Sequence, residues 1–206
     1  MIGDGADVID IGGESTRPGY TKISDEEEID RVVPVIEAVK KEFEIPISVD
    51  TYKSGVAEAA SQAGVDLIND IWGLKYDARM AEVIAKSGLA CCLMHNRDNA
   101  EYRNFMEDMK QDLWETIALA KAAGIADDKI ILDPGVGFAK SYENNLEAIR
   151  SLEELKELKY PVLLGTSRKS VIGLTLDLPA AERVEGTIVT TVMAVEAGCM
   201  FVRVHD

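Results

Sequence analysis

Short apolar runs alternate with longer amphipathic segments along the whole chain, and no tight hairpin signal such as Asn-Gly separates one run from the next. Antiparallel neighbours need only a short turn, whereas parallel neighbours need a crossover, commonly a helix. The pattern therefore predicts parallel strands joined by helices and covered on both faces. The expected strands are residues 7–11, 45–49, 66–71, 89–94, 129–132, 161–164 and 200–204. Helices are expected over 25–42, 53–63, 78–86, from the polar loop 96–100 to 123, and over 142–158. A last helix, broken near Asp177-Leu178-Pro179, resumes to Ala197. Ser24 reads as the N-cap of the first helix, with Glu27 completing a capping box. Ile29, Val32, Val33, Ile36 and Val39 form its apolar face.

Two architectures satisfy this alternation, an open doubly wound sheet and a (β/α)8 barrel. The polar residues favour the barrel. Nearly every strand ends in polar side chains: Asp10 and Glu14, Asp50 and Lys53, Asn69 and Asp70, His95, Asp133, Ser167 to Lys169, and Arg203 with His205 and Asp206. A barrel brings all strand ends to one mouth, whereas an open sheet strands half of them away from its crevice. The expectation is thus an α/β TIM barrel forming one domain over residues 1–206, incomplete because seven of the eight strands are counted. Residues 1–6 read as a helix end and turn, so one βα unit is expected to be missing in front and one helix behind.

The formal charge of -15 argues against nucleic acid or an anionic membrane as a general partner. Cys91, Cys92 and Cys199 are odd in number and lack metal-site spacing, which suits a reducing cytoplasm. No membrane span or signal peptide is read in the sequence. His95 and His205 are the only histidines, so a zinc site is not expected.

Gly165-Thr-Ser-Arg-Lys-Ser170 follows a short apolar run and precedes a helical pattern. Ser167 is expected to cap that helix, and Arg168 and Lys169 add positive charge where backbone N–H groups already attract anions. Arg203 and His205 share one face of the last strand by alternation. Barrels often bind phosphate at the loops of their last two strands, so these two stretches together predict an anion site. Asp10-Ile-Gly-Gly-Glu-Ser-Thr-Arg-Pro-Gly19 is a loop with glycines for close approach and a guanidinium fork for a carboxylate or phosphate. Asp50 and Asn69 offer acceptors and a donor suited to a flat heterocycle with mixed edges. Asp70 is expected to cap the next helix, His95 to be a satisfied core residue, and Lys140 to reach solvent. Asp133 should sit deep at the mouth, with Phe138 as a hydrophobic wall.

The motifs DIGGESTRPG, SVDTYK, INDIWG, DPGVGF, GTSRKS and VRVHD, in this order, resemble those of dihydropteroate synthases over essentially the whole chain. The resemblance implies a TIM-barrel transferase that joins a dihydropterin diphosphate to p-aminobenzoate, releases diphosphate and serves folate synthesis. Sulfonamides would compete with p-aminobenzoate. By matching position, Asp50, Asn69, Asp133 and Lys169 resemble the pterin-binding set. Thr16, Arg17, Pro18, Phe138, Ser167 and Lys169 resemble the p-aminobenzoate pocket, and Arg203 and His205 resemble the diphosphate grip. Asp50, Lys169, Arg203 and His205 would carry catalysis in a dissociative reaction, with Asp50 stabilising the pterin cation. The family implies Mg2+ and a homodimer at full length.

The family's Asn-bearing first loop is not found here, so no metal ligand is expected in this chain, and the helix after VRVHD is missing too. Low stability and little activity are expected of the chain by itself. Ala139 replaces a glycine often seen after the Phe, with little consequence expected. Rival readings are a methyltetrahydrofolate-corrinoid methyltransferase domain, a pterin-binding relative without turnover, and an unrelated sugar-phosphate barrel. The methyltransferase has no use for both STRPG and SRKS.

Overall fold

The computed structural model describes residues 1–16 and 21–205. The chain forms two compact units, residues 1–93 with 118–130 and residues 94–117 with 131–206.

The first unit begins with a single 3-10 turn, Ile2–Asp4, followed by β1 (Ile9–Gly12) and α1 (Asp25–Glu42). Then come β2 (Ile47–Asp50), α2 (Ser54–Ala63), β3 (Leu67–Asp70), α3 (Met80–Ser87) and β4 (Ala90–Met94). Neighbouring strands pair in parallel and in chain order, with Ile9 opposite Ile47, Val49 opposite Ile68, and Ile68 opposite Cys91. Both faces are covered: Ile47, Ser48 and Val49 are all buried, and so are Cys91 and Cys92, which alternate across the sheet. The apolar stripe of α1 supplies Val32 and Ile36 to this core.

The cap of α1 is as expected, since the Ser24 hydroxyl accepts from the Glu27 N–H. The box is not. Glu27 turns to Arg31 one turn on, while the Glu26 carboxyl is held below its usual range by its own backbone N–H and then by Ser24.

The second unit takes most of α4 (Phe105–Ala122) and β5 (Ile130–Asp133), then α5 (Tyr142–Arg150) and β6 (Leu163–Leu164). It ends with α6 (Ser170–Leu176), α7 (Val184–Glu196) and β7 (Phe201–Val202). Leu132 bridges Val162 in parallel, and β6 pairs β7 in parallel, so the chain-order pattern continues. The helix expected to run to Leu158 stops at Arg150 and continues as a 3-10 helix, Leu152–Leu158. Leu152, Leu155 and Leu158 are all buried, and their spacing of three matches the three residues per turn of that helix. The expected break between α6 and α7 is present, with Asp177 in the left-handed region (φ 54°) ahead of Pro179. No helix among the described residues is long and apolar enough to cross a membrane.

Candidate functional site

In the first unit the strand ends fall in register. Gly12 pairs with Asp50, and Asp50 pairs with Asn69. Partners in a parallel ladder share a face, and Asp10 lies two residues before Gly12, so Asp10, Asp50 and Asn69 point to one side of the sheet. A Cβ on Gly12 would lie 3.4 Å from the Asp50 Cβ, so the glycine leaves room beside the carboxylate. Asp70 points the other way. It accepts from the N–H groups of Trp72 (2.9 Å) and Leu74 (2.7 Å), and burial pushes its carboxyl up to about 6. It shapes the turn after β3 and does not cap the next helix, which begins only at Met80.

The loop after β1 is fastened at both ends. The Glu14 carboxylate accepts from the Ile23 N–H (2.8 Å), from Lys53 Nζ (2.9 Å) and from the Tyr52 hydroxyl. Lys53 Nζ also meets Glu28 (2.7 Å) and donates to the Ile23 carbonyl (2.8 Å). Gly13 lies hard against α1: a Cβ there would sit 2.8 Å from Val32 Cγ1. The Lys53 and Glu14 assigned to strand-end chemistry therefore do mechanical work, holding the segment that carries Thr16. Arg17 and Pro18 lie outside the described residues, as does Asp206.

In the second unit three expected site residues meet around Gly165. A Cβ at that position would lie 3.8 Å from the Arg203 Cβ, 3.9 Å from Lys169 Nζ and 4.0 Å from Asp133 Oδ2. Asp133 is 8% exposed, and its Oδ1 accepts from the Gly135 N–H at 2.7 Å. Burial raises its carboxyl above the ordinary range, opposed by Lys169, the Gly135 N–H, Lys140 and Arg203. Gly135 permits this turn with φ 67°, and a Cβ there would collide with the His95 carbonyl at 2.1 Å. Lys169 Nζ donates to the Val136 carbonyl (2.6 Å) and sits 5.0 Å from the Phe138 ring centroid.

Ser167 does not cap α6. Lys169 is the N-cap residue, and the helix starts at Ser170. The Ser167 hydroxyl instead accepts from the His205 N–H (3.2 Å) and lies 2.9 Å from His205 Nδ1. The Arg203 N–H donates to the Leu164 carbonyl at 3.0 Å, extending the β6–β7 pairing. Arg203 and His205 are exposed beside the Gly165–Lys169 turn, the anion-favouring corner expected from the last two strands. Ser170, exposed at the first residue of α6, was not singled out from the sequence, although it directly follows Lys169 in the same motif.

His95 is a satisfied buried residue, 2.9 Å from Asp112 through Nε2 and 2.9 Å from Lys140 Nζ through Nδ1. Burial pulls it down to about 4, so it is neutral at pH 7. Lys140, expected to reach solvent, is half-buried. Its four-carbon stem folds back, and Nζ also donates to the carbonyl of Phe138 (3.0 Å). Ala139 stands at φ 43°, a region an L-side chain enters at a cost of about 1 kcal/mol, so the replacement of glycine is not neutral. Among the described residues no three His, Cys, Asp or Glu side chains group to hold a metal ion.

Residues 1–205 match the family described as pterin binding enzyme. The dihydropteroate synthase of Clostridium beijerinckii is 63% identical over 100% of this chain and 77% of its own length. A crystal structure of the dihydropteroate synthase from Clostridium difficile, obtained in the presence of pteroic acid, superposes with a TM-score of 0.98 at 51% identity. It is covered over 78% of its length by all of this chain. The dihydropteroate synthase of Xanthomonas albilineans with 4-aminobenzoic acid matches at TM-score 0.96 and 40% identity, over 100% of this chain and 76% of that one. The fold of these structures is the TIM barrel, and the parallel βα succession described above has that fold.

Proposed function

The chain belongs to the pterin binding enzyme family, among its dihydropteroate synthases, and on that premise we propose that it condenses a dihydropterin methyl diphosphate with p-aminobenzoate. The bond between the pterin methylene carbon and the diphosphate oxygen breaks. A new bond forms from that carbon to the aryl amine, which loses a proton, and diphosphate leaves. The observation that carries the reading is the group around Gly165, where Asp133, Lys169 and Arg203 stand within about one side-chain length of each other.

Each of these groups suits one part of the reaction. Asp133 accepts from the amino and ring N–H groups of the pterin, and Asn69 satisfies its mixed edge. Asp50 lies in register with Asn69 and stabilises positive charge spreading over the ring as the carbon–oxygen bond opens. Arg203 and His205 take the diphosphate as its charge grows, and Ser167 fixes the imidazole for that task. Phe138, Lys169, Thr16, Arg17 and Pro18 receive p-aminobenzoate. Its carboxylate meets the turn into α6, where Ser167 lies beside His205 and Ser170 is exposed. Holding the amine in line replaces any need for a protein nucleophile.

Mg2+ belongs to this reading as the companion of the diphosphate. Its contribution when bound is neutralisation of phosphate charge. The reading also includes sulfonamides as competitors of p-aminobenzoate, a cytoplasmic location and a homodimer. The test mixes the protein with the dihydropterin diphosphate, labelled p-aminobenzoate and Mg2+. A labelled pterin product is expected, whereas binding of both substrates without product would leave a pterin-binding module.

A further inference from the structure

The glycine-rich loop after β5 carries Phe138, and every residue from Val136 to Ala139 has a backbone group held by a different side chain. Lys169 takes the Val136 carbonyl, and Asn145 Oδ1 accepts from the Gly137 N–H at 2.6 Å. Lys140 takes the Phe138 carbonyl, and the Tyr102 hydroxyl donates to the Ala139 carbonyl at 2.9 Å. Three of these holders have plain reasons to be where they are. Lys169 belongs to the substrate site, Asn145 stands on the first turn of α5, and Tyr102 lies under the Arg97 guanidinium, 4.4 Å from its ring centroid.

Lys140 is the exception. Burying an ammonium costs more than burying a hydroxyl or an amide, and none of the hydrogen-bond partners of this half-buried residue belongs to the Gly165 group. What it does touch is a column. Its Nζ reaches His95 Nδ1 (2.9 Å) and the His95 carbonyl (3.4 Å), while His95 Nε2 rests on Asp112, itself paired with Arg97 Nε at 2.5 Å. With Nδ1 accepting from the ammonium, Nε2 must carry the ring proton and donate to Asp112. The imidazole is thus a rigid spacer between a helix, α4, and the loop.

We propose that Lys140 is a positioning residue for the second substrate: braced on the His95–Asp112 column, its ammonium fixes the Phe138 carbonyl and so sets the ring that walls the p-aminobenzoate pocket. The inference rests on the proposed condensation for what the pocket binds, but not for the clamp itself. Lys140 has three N–H donors for three acceptors when charged and two when neutral, which still cover the two shorter contacts, to His95 Nδ1 and to the Phe138 carbonyl. Burial pulls its ammonium down to about 7, with Lys169 and Arg97 lowering it further and Asp133 and Asp112 raising it. Neutral His95 contributes an acceptor to this set. Releasing the clamp returns the ammonium to water and to its ordinary value of 10.5, so the clamp tightens as the pH rises through neutrality.

The test is Lys140→Met, which keeps the length of the stem and removes the donors. KM for p-aminobenzoate is expected to rise about tenfold, with kcat and KM for the dihydropterin diphosphate within about threefold of the parent. Amide exchange should quicken over residues 135–140 and little elsewhere. In the parent, KM for p-aminobenzoate should fall several-fold between pH 6 and pH 8.5; in the variant it should stay flat. His95→Gln, whose amide can both accept from Lys140 and donate to Asp112, should keep most of the parent's behaviour. Unchanged KM together with unchanged exchange in Lys140→Met would overturn the proposal. Should that variant fail to fold, protection of the parent's amides 135–140 relative to their intrinsic rate at the two pH values decides the matter; it should rise with pH, and indifference to pH would overturn the proposal. If the parent makes no product, the proposed condensation fails while the exchange arm still judges the clamp.

Discussion

In the first unit Lys53 lies between two carboxylates, Glu14 and Glu28; in the second, Lys140 lies among an imidazole and two carbonyls. Each ammonium group folds back on a loop of its own unit, Lys53 buried and Lys140 half-buried. For Lys53 burial lowers the pKa, but Glu28 and then Glu14 outweigh it and the group ends above its ordinary value. For Lys140 burial dominates, and the group is pulled down to about 7. The contrast shows that burial alone does not decide the charge of a buried lysine; the formal charge of its acceptors does. The first loop has a fastening that ignores pH near neutrality, and the second has one that responds to it.

The comparison breaks most readily at Lys53. Replacing it by Met leaves two buried carboxylates facing each other, and stability should fall by about 3–5 kcal/mol in chemical denaturation. A loss below about 1 kcal/mol would mean the ion group is ornamental. Lys169 sharpens the contrast from the other side, because it is proposed to meet substrate besides holding the Val136 carbonyl. Lys169→Ala should lower kcat/KM by about 10²–10³-fold with the melting temperature nearly unchanged. Near-normal turnover would show that the reacting groups lie elsewhere.

A pH titration of stability separates the two fastenings directly. Unfolded, Lys140 keeps its proton up to its ordinary value of 10.5, whereas folded it releases the proton near 7. The unfolded state binds more protons in that window, so stability rises with pH by up to about 1.4 kcal/mol per unit. The difference between the parent and Lys140→Met should therefore grow in the parent's favour from pH 7 to pH 9. A constant difference would place Lys140 with Lys53, charged throughout. The smallest effect belongs to Ala139→Gly, which relieves the positive φ in the second loop and should stabilise by up to about 1 kcal/mol. A destabilised variant would mean that the side chain packs better than the backbone suffers.

Much of this site was legible in the chain. The strand ends carrying Asp50, Asn69, Asp133 and Arg203 were found because polar residues at the end of an apolar run have few reasons to be there. The N-cap at Ser24 was visible for a similar reason, a local hydrogen bond that depends on neighbours three residues away. The contacts of Ser167, Lys140 and Lys53 were not legible in the same way. Each has a partner far away in sequence, His205, His95 and Glu14 respectively. Propensity and spacing carry no information about such pairs.

The sequence by itself determined the order of strands and helices, their parallel sense and the identity of the strand-end residues, because periodicity and turn chemistry are local properties of the chain. Only the tertiary structure decided which of those residues gather around Gly165 and which fasten a loop. A lysine, a serine or a carboxylate takes its role from the charge and hydrogen-bonding capacity of whatever the fold brings within about 3 Å, and that neighbour is set by packing.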